Sequence, residues 1–148
     1  MQSILLRVGV IGAIIIGAII LRPFLSGNAG NLQVGDCFDE PTTTEETIDD
    51  VQHRPCNEPH DAEVVFVGDY TPDTDVYPTD EEFRTFFEGT CTTAFNTFSG
   101  LDFMTDTTYD MSAYTPTVEG WTDDDDRKVI CYAVRLDGAQ SSTSIKKP

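Results

Sequence analysis

The chain has 148 residues with 26 Asp and Glu against 9 Lys and Arg, a formal net charge of −17. No acidic residue precedes Asp36, and Arg7 and Arg22 lie in the N-terminal region, so the rest holds seven basic side chains against 26 acidic ones, a formal charge of −19. Such a surface cannot neutralise phosphates and is repelled by anionic lipid head groups, which excludes nucleic acid as a partner and sets the folded part off the membrane.

The first predicted element is a transmembrane helix over Ile4–Leu21, an apolar run broken only by Arg7. At about 1.5 Å per residue it reaches about 27 Å, close to the hydrocarbon core of about 30 Å. Arg7 lies near one end and Arg22-Pro23 closes the other, so neither charge needs to sit at the bilayer centre. Gly9, Gly12, Ala13, Gly17 and Ala18 give a small-residue face, of which Gly12 and Gly17 are the candidates for close contact with another helix; plain solvation by lipid is the competing account. A cleaved signal peptide is a rival reading, with Gly27 and Ala29 as a small-x-small site, but Arg22 separates the apolar core from it. A lipoprotein signal fits poorly, because no Cys follows closely. Arg7 and Arg22 flank the segment evenly, so orientation rests on the cysteines.

Cys37, Cys56, Cys91 and Cys131 are an even number at wide spacings, with no CxxC pair. Zinc sites bring ligands in close pairs, so two disulfides in an oxidising compartment is the better account. That places the domain outside the cytoplasm and the N-terminus inside. Three connectivities are open at this level.

The expected layout is an anchor over 1–25, a Gly/Asn-rich tether over 26–31, one extracytoplasmic domain over 32–138 and a tail over 139–148, with about 120 residues enough for a single core. Leu32–Phe38 reads as a short strand with a turn at Gly35-Asp36. Asp39–Asp50 is a polar loop opened by Pro41. Val51–Asp61 reads as an edge strand passing into a turn, because prolines flank Cys56. It contains both histidines, His53 and His60. A metal or acid–base site there is one reading; the favoured one has His60, beside Asp61, hydrogen-bonding backbone groups to fix the turn. Ala62–Gly68 is a β-prone central strand.

Thr79 opens the best helix. Glu82 completes a capping box, Asp80 and Glu81 suit the positive end of the helix dipole, and Ser99-Gly100 stops it. Phe83, Phe86, Phe87, Cys91, Ala94, Phe95 and Phe98 recur at spacings of three and four, which is a core face. Leu101–Asp110 is polar, Met111–Tyr114 a strand and Thr115–Thr117 a turn leading to Trp121. Four aspartates at Asp123–Asp126 precede Arg127 and the strand Val129–Val134. The aspartates lack the alternating ligands and distal Glu of an EF-hand, so a solvated turn is preferred to calcium binding. A helix packed on the last strand would bring Cys91 to Cys131, which leaves Cys37 for Cys56. The tail from Gly138 reads as a last ragged strand or a disordered end. The fold class is α+β: an N-terminal transmembrane helix, then a small antiparallel sheet on one amphipathic helix, stapled by two disulfides.

Val34-Gly35-Asp36-Cys37-Phe38, Pro55-Cys56 with Glu58-Pro59-His60-Asp61-Ala62-Glu63-Val64, a helical Cys, and Trp121 with Asp126-Arg127 and Cys131 together resemble the septum formation domain family of actinobacteria and related bacteria. The resemblance covers about Leu32 to Asp137. It implies the same two disulfides, a membrane anchor and an extracytoplasmic domain linked to cell division. It supplies no reaction, cofactor or catalytic residue. The long aspartate run departs from the family's shorter Gly-Asp-Arg turn.

No Gly-x-Ser-x-Gly elbow, phosphate loop or dinucleotide fingerprint occurs, and nothing singles out a carboxylate pair. The sequence therefore points to a non-enzymatic binding or assembly protein without cofactor or small-molecule substrate. Its partners would be proteins of the membrane or envelope, with His60, Asp61, Trp121 and Arg127 as structural or interaction residues. The competing class is a wall-active or metal-dependent hydrolase centred on His53, His60 and nearby carboxylates.

Overall fold

Two apolar runs, Ala62–Asp69 and Lys128–Arg135, are the longest strands and pair antiparallel at the centre of the sheet. In the second, Val129, Cys131 and Ala133 face one side while Ile130, Tyr132 and Val134 face the other, a strict alternation that gives this strand two covered faces. The first run, Val64-Val65-Phe66-Val67, does not alternate. A register shift between Val64 and Phe66 sends Val65 and Phe66 to the same side and returns Val67 to the opposite one.

The computed structural model describes residues 26–42, 48, 50–72 and 74–148. Ile4–Leu21, with Gly12 and Gly17, lies outside them, and among the described residues no helix is long and apolar enough to cross a membrane. The strands are β1 (Ser26–Asn28), β2 (Cys37–Asp39), β3 (Asp50–Arg54), β4 (Ala62–Asp69), β5 (Tyr109–Tyr114) and β6 (Lys128–Arg135). They form one antiparallel sheet in the order β1-β3-β2-β4-β6-β5. The helices are α1 (Asp80–Phe86), a π-helical turn (Phe87–Cys91), α2 (Thr92–Ser99) and α3 (Val118–Asp123).

The capping box forms as the sequence indicates: Glu82 N–H donates to Thr79 Oγ1 at 3.3 Å, and Thr79 N–H donates to Glu82 Oε2 at 2.8 Å. The Glu82 carboxylate is held below its ordinary pKa by the Thr79 N–H and by the Thr79 hydroxyl, which also donates to Oε2 at 2.8 Å. Gly100 ends α2 in the left-handed region at φ 77°, where a side chain would be strained. Cys91 and Phe95 are buried against Val65, Val129 and Cys131, with Phe103 and Tyr109 meeting the Phe95 ring at 5.5 and 6.2 Å. The opposite face of the sheet buries Leu32, Phe38, Val51, Val64 and Tyr132, with Phe38 edge-on to Tyr132 at 5.2 Å. Burial pushes the Tyr132 and Tyr114 phenols above the ordinary tyrosine range.

Several expectations are corrected. Residues 26–31 are not a tether: β1 pairs with β3, Asn28 Oδ1 accepts from Gly30 N–H at 2.8 Å, and Ala29 is buried. Gly27 serves close approach, since a Cβ there would lie 3.3 Å from His53 Nε2. β3 is interior, between β1 and β2, because Pro55 falls just past its end and costs the ladder nothing. The strand expected over Leu32–Phe38 shrinks to β2, while Leu32 enters the core and Val34-Gly35 turns with Gly35 at φ 88°. β5 begins at Tyr109 rather than Met111. The turn after it continues into α3, capped by Thr117 Oγ1, which accepts from Gly120 N–H at 3.0 Å. The helix contains one π turn, which seats Phe86 and Phe87 together against the same cluster. The tail is packed: Ser141 bridges His60, and Lys147 N–H donates to Phe98 O at 3.0 Å.

β6 ends in a turn held by Arg135, whose Nε and Nη2 donate to Asp137 at 2.9 and 2.6 Å, while Ala139 N–H donates to the same carboxylate at 3.1 Å. These bonds, the Arg135 side chain first, lower the Asp137 carboxyl from its ordinary 3.8 to about 2. A lowered folded pKa contributes stability above the ordinary value and loses it as pH falls through about 2. Carboxyl-carbon NMR titration should therefore place the Asp137 midpoint near 2, and Arg135→Ala should return it toward the ordinary range. An unmoved midpoint in that variant would mean that the pair does not hold the turn in solution.

Candidate functional site

Pro59 ends the polar turn after β3 and presents His60 to the sheet, where the imidazole is 2 % exposed. His60 Nδ1 lies 2.8 Å from Glu58 O, and since a carbonyl only accepts, Nδ1 carries the hydrogen. The His60 backbone exchanges two bonds with Ser141, each 2.9 Å. Three residues on, Glu63 is the one charge in β4 apart from its terminal Asp69 and is also 2 % exposed. Its two oxygens accept from Ser144 Oγ at 2.6 Å and Ile145 N–H at 2.8 Å. A buried carboxylate requires such donors. Asp61 does a related job for the neighbouring loop: Asp61 Oδ2 accepts from Glu40 N–H at 3.0 Å and Asp61 N–H donates to Phe38 O at 3.1 Å.

Potential ligand atoms of Cys37, His60 and Glu63 lie within 4.8 Å of one another. Cys37 is bonded to Cys56, so it offers no thiolate, and the carboxylate is already engaged by the tail. The residue set does not fit a resident metal in this oxidised form. His53 is not a member of the group; it lies opposite Phe38 in the β2–β3 register and is buried beside Gly27. The second disulfide joins Cys91 of the π turn to Cys131 of β6, with Cα atoms 5.8 Å apart, against 5.3 Å for Cys37 and Cys56.

Trp121 and Arg127 form the other organised cluster. The Arg127 guanidinium lies 3.7 Å from the centroid of the Trp121 ring. It donates to Trp121 O at 2.9 Å and to Asp126 O at 3.0 Å, and pairs with Asp125 at 2.8 Å. Trp121 Nε1 donates to Asp75 O at 2.8 Å, which ties α3 to the loop before α1. The aspartate run closes α3 rather than gathering its carboxylates: Asp125 sits in the left-handed region at φ 54°, Asp126 N–H donates to Gly120 O, and Asp126 Oδ1 accepts from Lys128 N–H.

A cavity of about 590 Å³ opens beside this cluster, with Ala29, Tyr114 and Ile130 among its apolar walls and Glu119, Asp126 and Lys128 among its polar ones. Among the described residues the buried Tyr114 hydroxyl meets no hydrogen-bond partner.

A family model described as septum formation matches residues 27–147, nearly the whole described part of the chain. The chain belongs to the septum formation family. That membership links it to septum formation, and the matched span takes in both β1 and the C-terminal residues that grip Glu63 in this septum formation domain. No curated protein and no solved structure matches the chain.

His60 and Asp61 stand out in the sequence, whereas the role of Glu63 does not; the available signal is a lone charge at the head of the apolar run Val64-Val65-Phe66-Val67. Ser144 carried none. Deleting residues 141–148 should strand the Glu63 carboxylate and lower unfolding stability by about 3 kcal/mol or more, whereas adding Glu63→Leu to that deletion should recover part of the loss. Urea midpoints measure both, and a deletion without effect would deny the clamp any energetic role.

Proposed function

We propose that this septum formation domain is the extracytoplasmic part of a single-pass membrane protein with its N-terminus in the cytoplasm, and that it acts by binding, as an accessory subunit of an envelope or membrane complex at the septum. What supports the reading first is the use made of its two most buried ionisable groups. His60 and Glu63 are tied to Glu58, Ser141, Ser144 and Ile145, so the groups that an acid–base mechanism would need are engaged in fixing the chain. Two disulfides suit an oxidising compartment, and the apolar run Ile4–Leu21 suits an anchor. The acidic surface favours neutral or basic protein partners.

The rival reading is a wall-active or metal-dependent hydrolase built on His53, His60 and nearby carboxylates, and one pair of experiments separates the two. Crosslinking of the native membrane protein followed by purification in mild detergent should recover a stoichiometric partner, and Gly12→Leu or Gly17→Leu should reduce that recovery if the helix makes the lateral contact. His60→Ala should lower folding stability by about 2 kcal/mol or more. A His60→Ala domain that keeps its stability, together with purification of the wild type alone, would contradict the proposal.

A further inference from the structure

β5 is an edge strand whose register with β6 runs unbroken from Tyr109 opposite Arg135 to Tyr114 opposite Ile130. Among the described residues no strand pairs with its other side. Leu136 N–H donates to Thr108 O, so by the alternation of an antiparallel ladder Asp110, Ser112 and Tyr114 bond to β6, and the N–H and C=O groups of Tyr109, Met111 and Ala113 point outward. Asp106 Oδ1 accepts from Tyr109 N–H at 2.7 Å, and Asp110 Oδ1 accepts from Met111 N–H at 2.8 Å. The Ala113 N–H meets no acceptor among the described residues.

A groove of about 450 Å³ runs beside this edge. Met111 and Ala113 form one wall, Phe83 and Phe87 the other, and Cys91 lies between them. Tyr77, whose hydroxyl donates to Pro116 O at 2.9 Å, is also part of its lining. A regular six-residue edge without proline, bulge or charge on its groove side is a template for strand addition. At the opposite end of the sheet, the described β1 is three residues long.

The charge selects the occupant. Asp80 lines the groove, Asp106 and Asp110 sit on the outward amides, and the one cation in the lining, Arg84, lies within 3.9 Å of Glu81 and Glu88. A second copy would bring its own large negative charge to the same edge and be repelled. In an added strand, side chains next to Met111 and Ala113 would enter the groove, while the alternate ones would share the face of Asp110. From this we infer that β5 and its groove bind an extended segment of a partner protein in which apolar and basic residues alternate, added as a seventh strand. Its basic side chains draw the carboxylates of Asp106 and Asp110 off the Tyr109 and Met111 amides, and the partner's carbonyls take their place. This deepens the binding role proposed above and rests on it.

The test uses the full chain in detergent micelles with a peptide of about ten residues alternating Val and Arg, and a Val/Glu peptide as control. The Val/Arg peptide should slow amide exchange at Met111 and Ala113 by about tenfold or more, and the Val/Glu peptide should not bind. Ala113→Pro removes an outward N–H but no bond to β6, and should weaken binding by about tenfold or more at an unchanged melting temperature. Unaltered exchange in β5, equal binding of the two peptides, or full affinity in folded Ala113→Pro would each overturn the inference. Should Ala113→Pro unfold, the exchange measurement on the wild type decides alone. A chain that still purifies with a stoichiometric partner while β5 stays unprotected keeps its binding role on another surface; a chain that protects β5 against the peptide but purifies alone keeps the docking site and loses the accessory-subunit reading.

Discussion

The Cys91–Cys131 bond ties the amphipathic helix to β6, a central strand that is covered on both faces. β6 lies between β4 and β5 and contributes Val129, Cys131 and Ala133 to the helix side. Fixing Cys91 on Cys131 sets where Phe95 enters that layer and where Phe83 and Phe87 stand relative to β5. In chain-entropy terms, loops of 40 and 19 residues closed by the two bonds are worth about 4 and about 3 kcal/mol. Those amounts are large for a domain of this size, and here they act against the mutual repulsion of an excess of carboxylates.

The second bond works with a second clamp. Cys37–Cys56 pins the start of the turn that leads to His60, and the C-terminal segment packs on His60 and Glu63 through Ser141, Ser144 and Ile145. The C-terminal segment and the disulfide-bonded β2 therefore meet at Glu63, which lies opposite Cys37 in the register and whose buried carboxylate takes its donors from the tail. The groups that look most like a reactive centre by residue type, His60 and Glu63, are tightly held by the fold, while among the described residues the outward Ala113 N–H of β5 meets no acceptor.

Much of this architecture was legible in the sequence because local signals agreed with one another. Thr79 with Glu82, the Phe spacing and Ser99-Gly100 each located the helix, and the apolar run Val129–Val134 located the strand that carries Cys131. The pairing of Cys91 with Cys131 followed from placing that helix on that strand. Illegible features depended on distant partners. Gly27 in β1 reads as a flexible residue until His53 is packed against it, Pro55 reads as an edge marker until it is seen to fall just beyond β3, and Ser144 has no meaning without Glu63. The π turn at Phe87–Cys91 also leaves no mark in a spacing of three and four, because a one-residue insertion keeps an aromatic on the core side.

Both the proposed extracytoplasmic placement and the seating of the helix on β6 depend on the two disulfides being present in the living cell. Intact cells would be treated with a membrane-permeant alkylating agent before lysis, and peptides from the non-reduced protein analysed by mass spectrometry. The expected result is Cys37 linked to Cys56 and Cys91 linked to Cys131, with no alkylated cysteine. Four alkylated cysteines would place the domain in a reducing compartment and contradict the extracytoplasmic reading, and a different pairing would contradict the seating of the helix on β6.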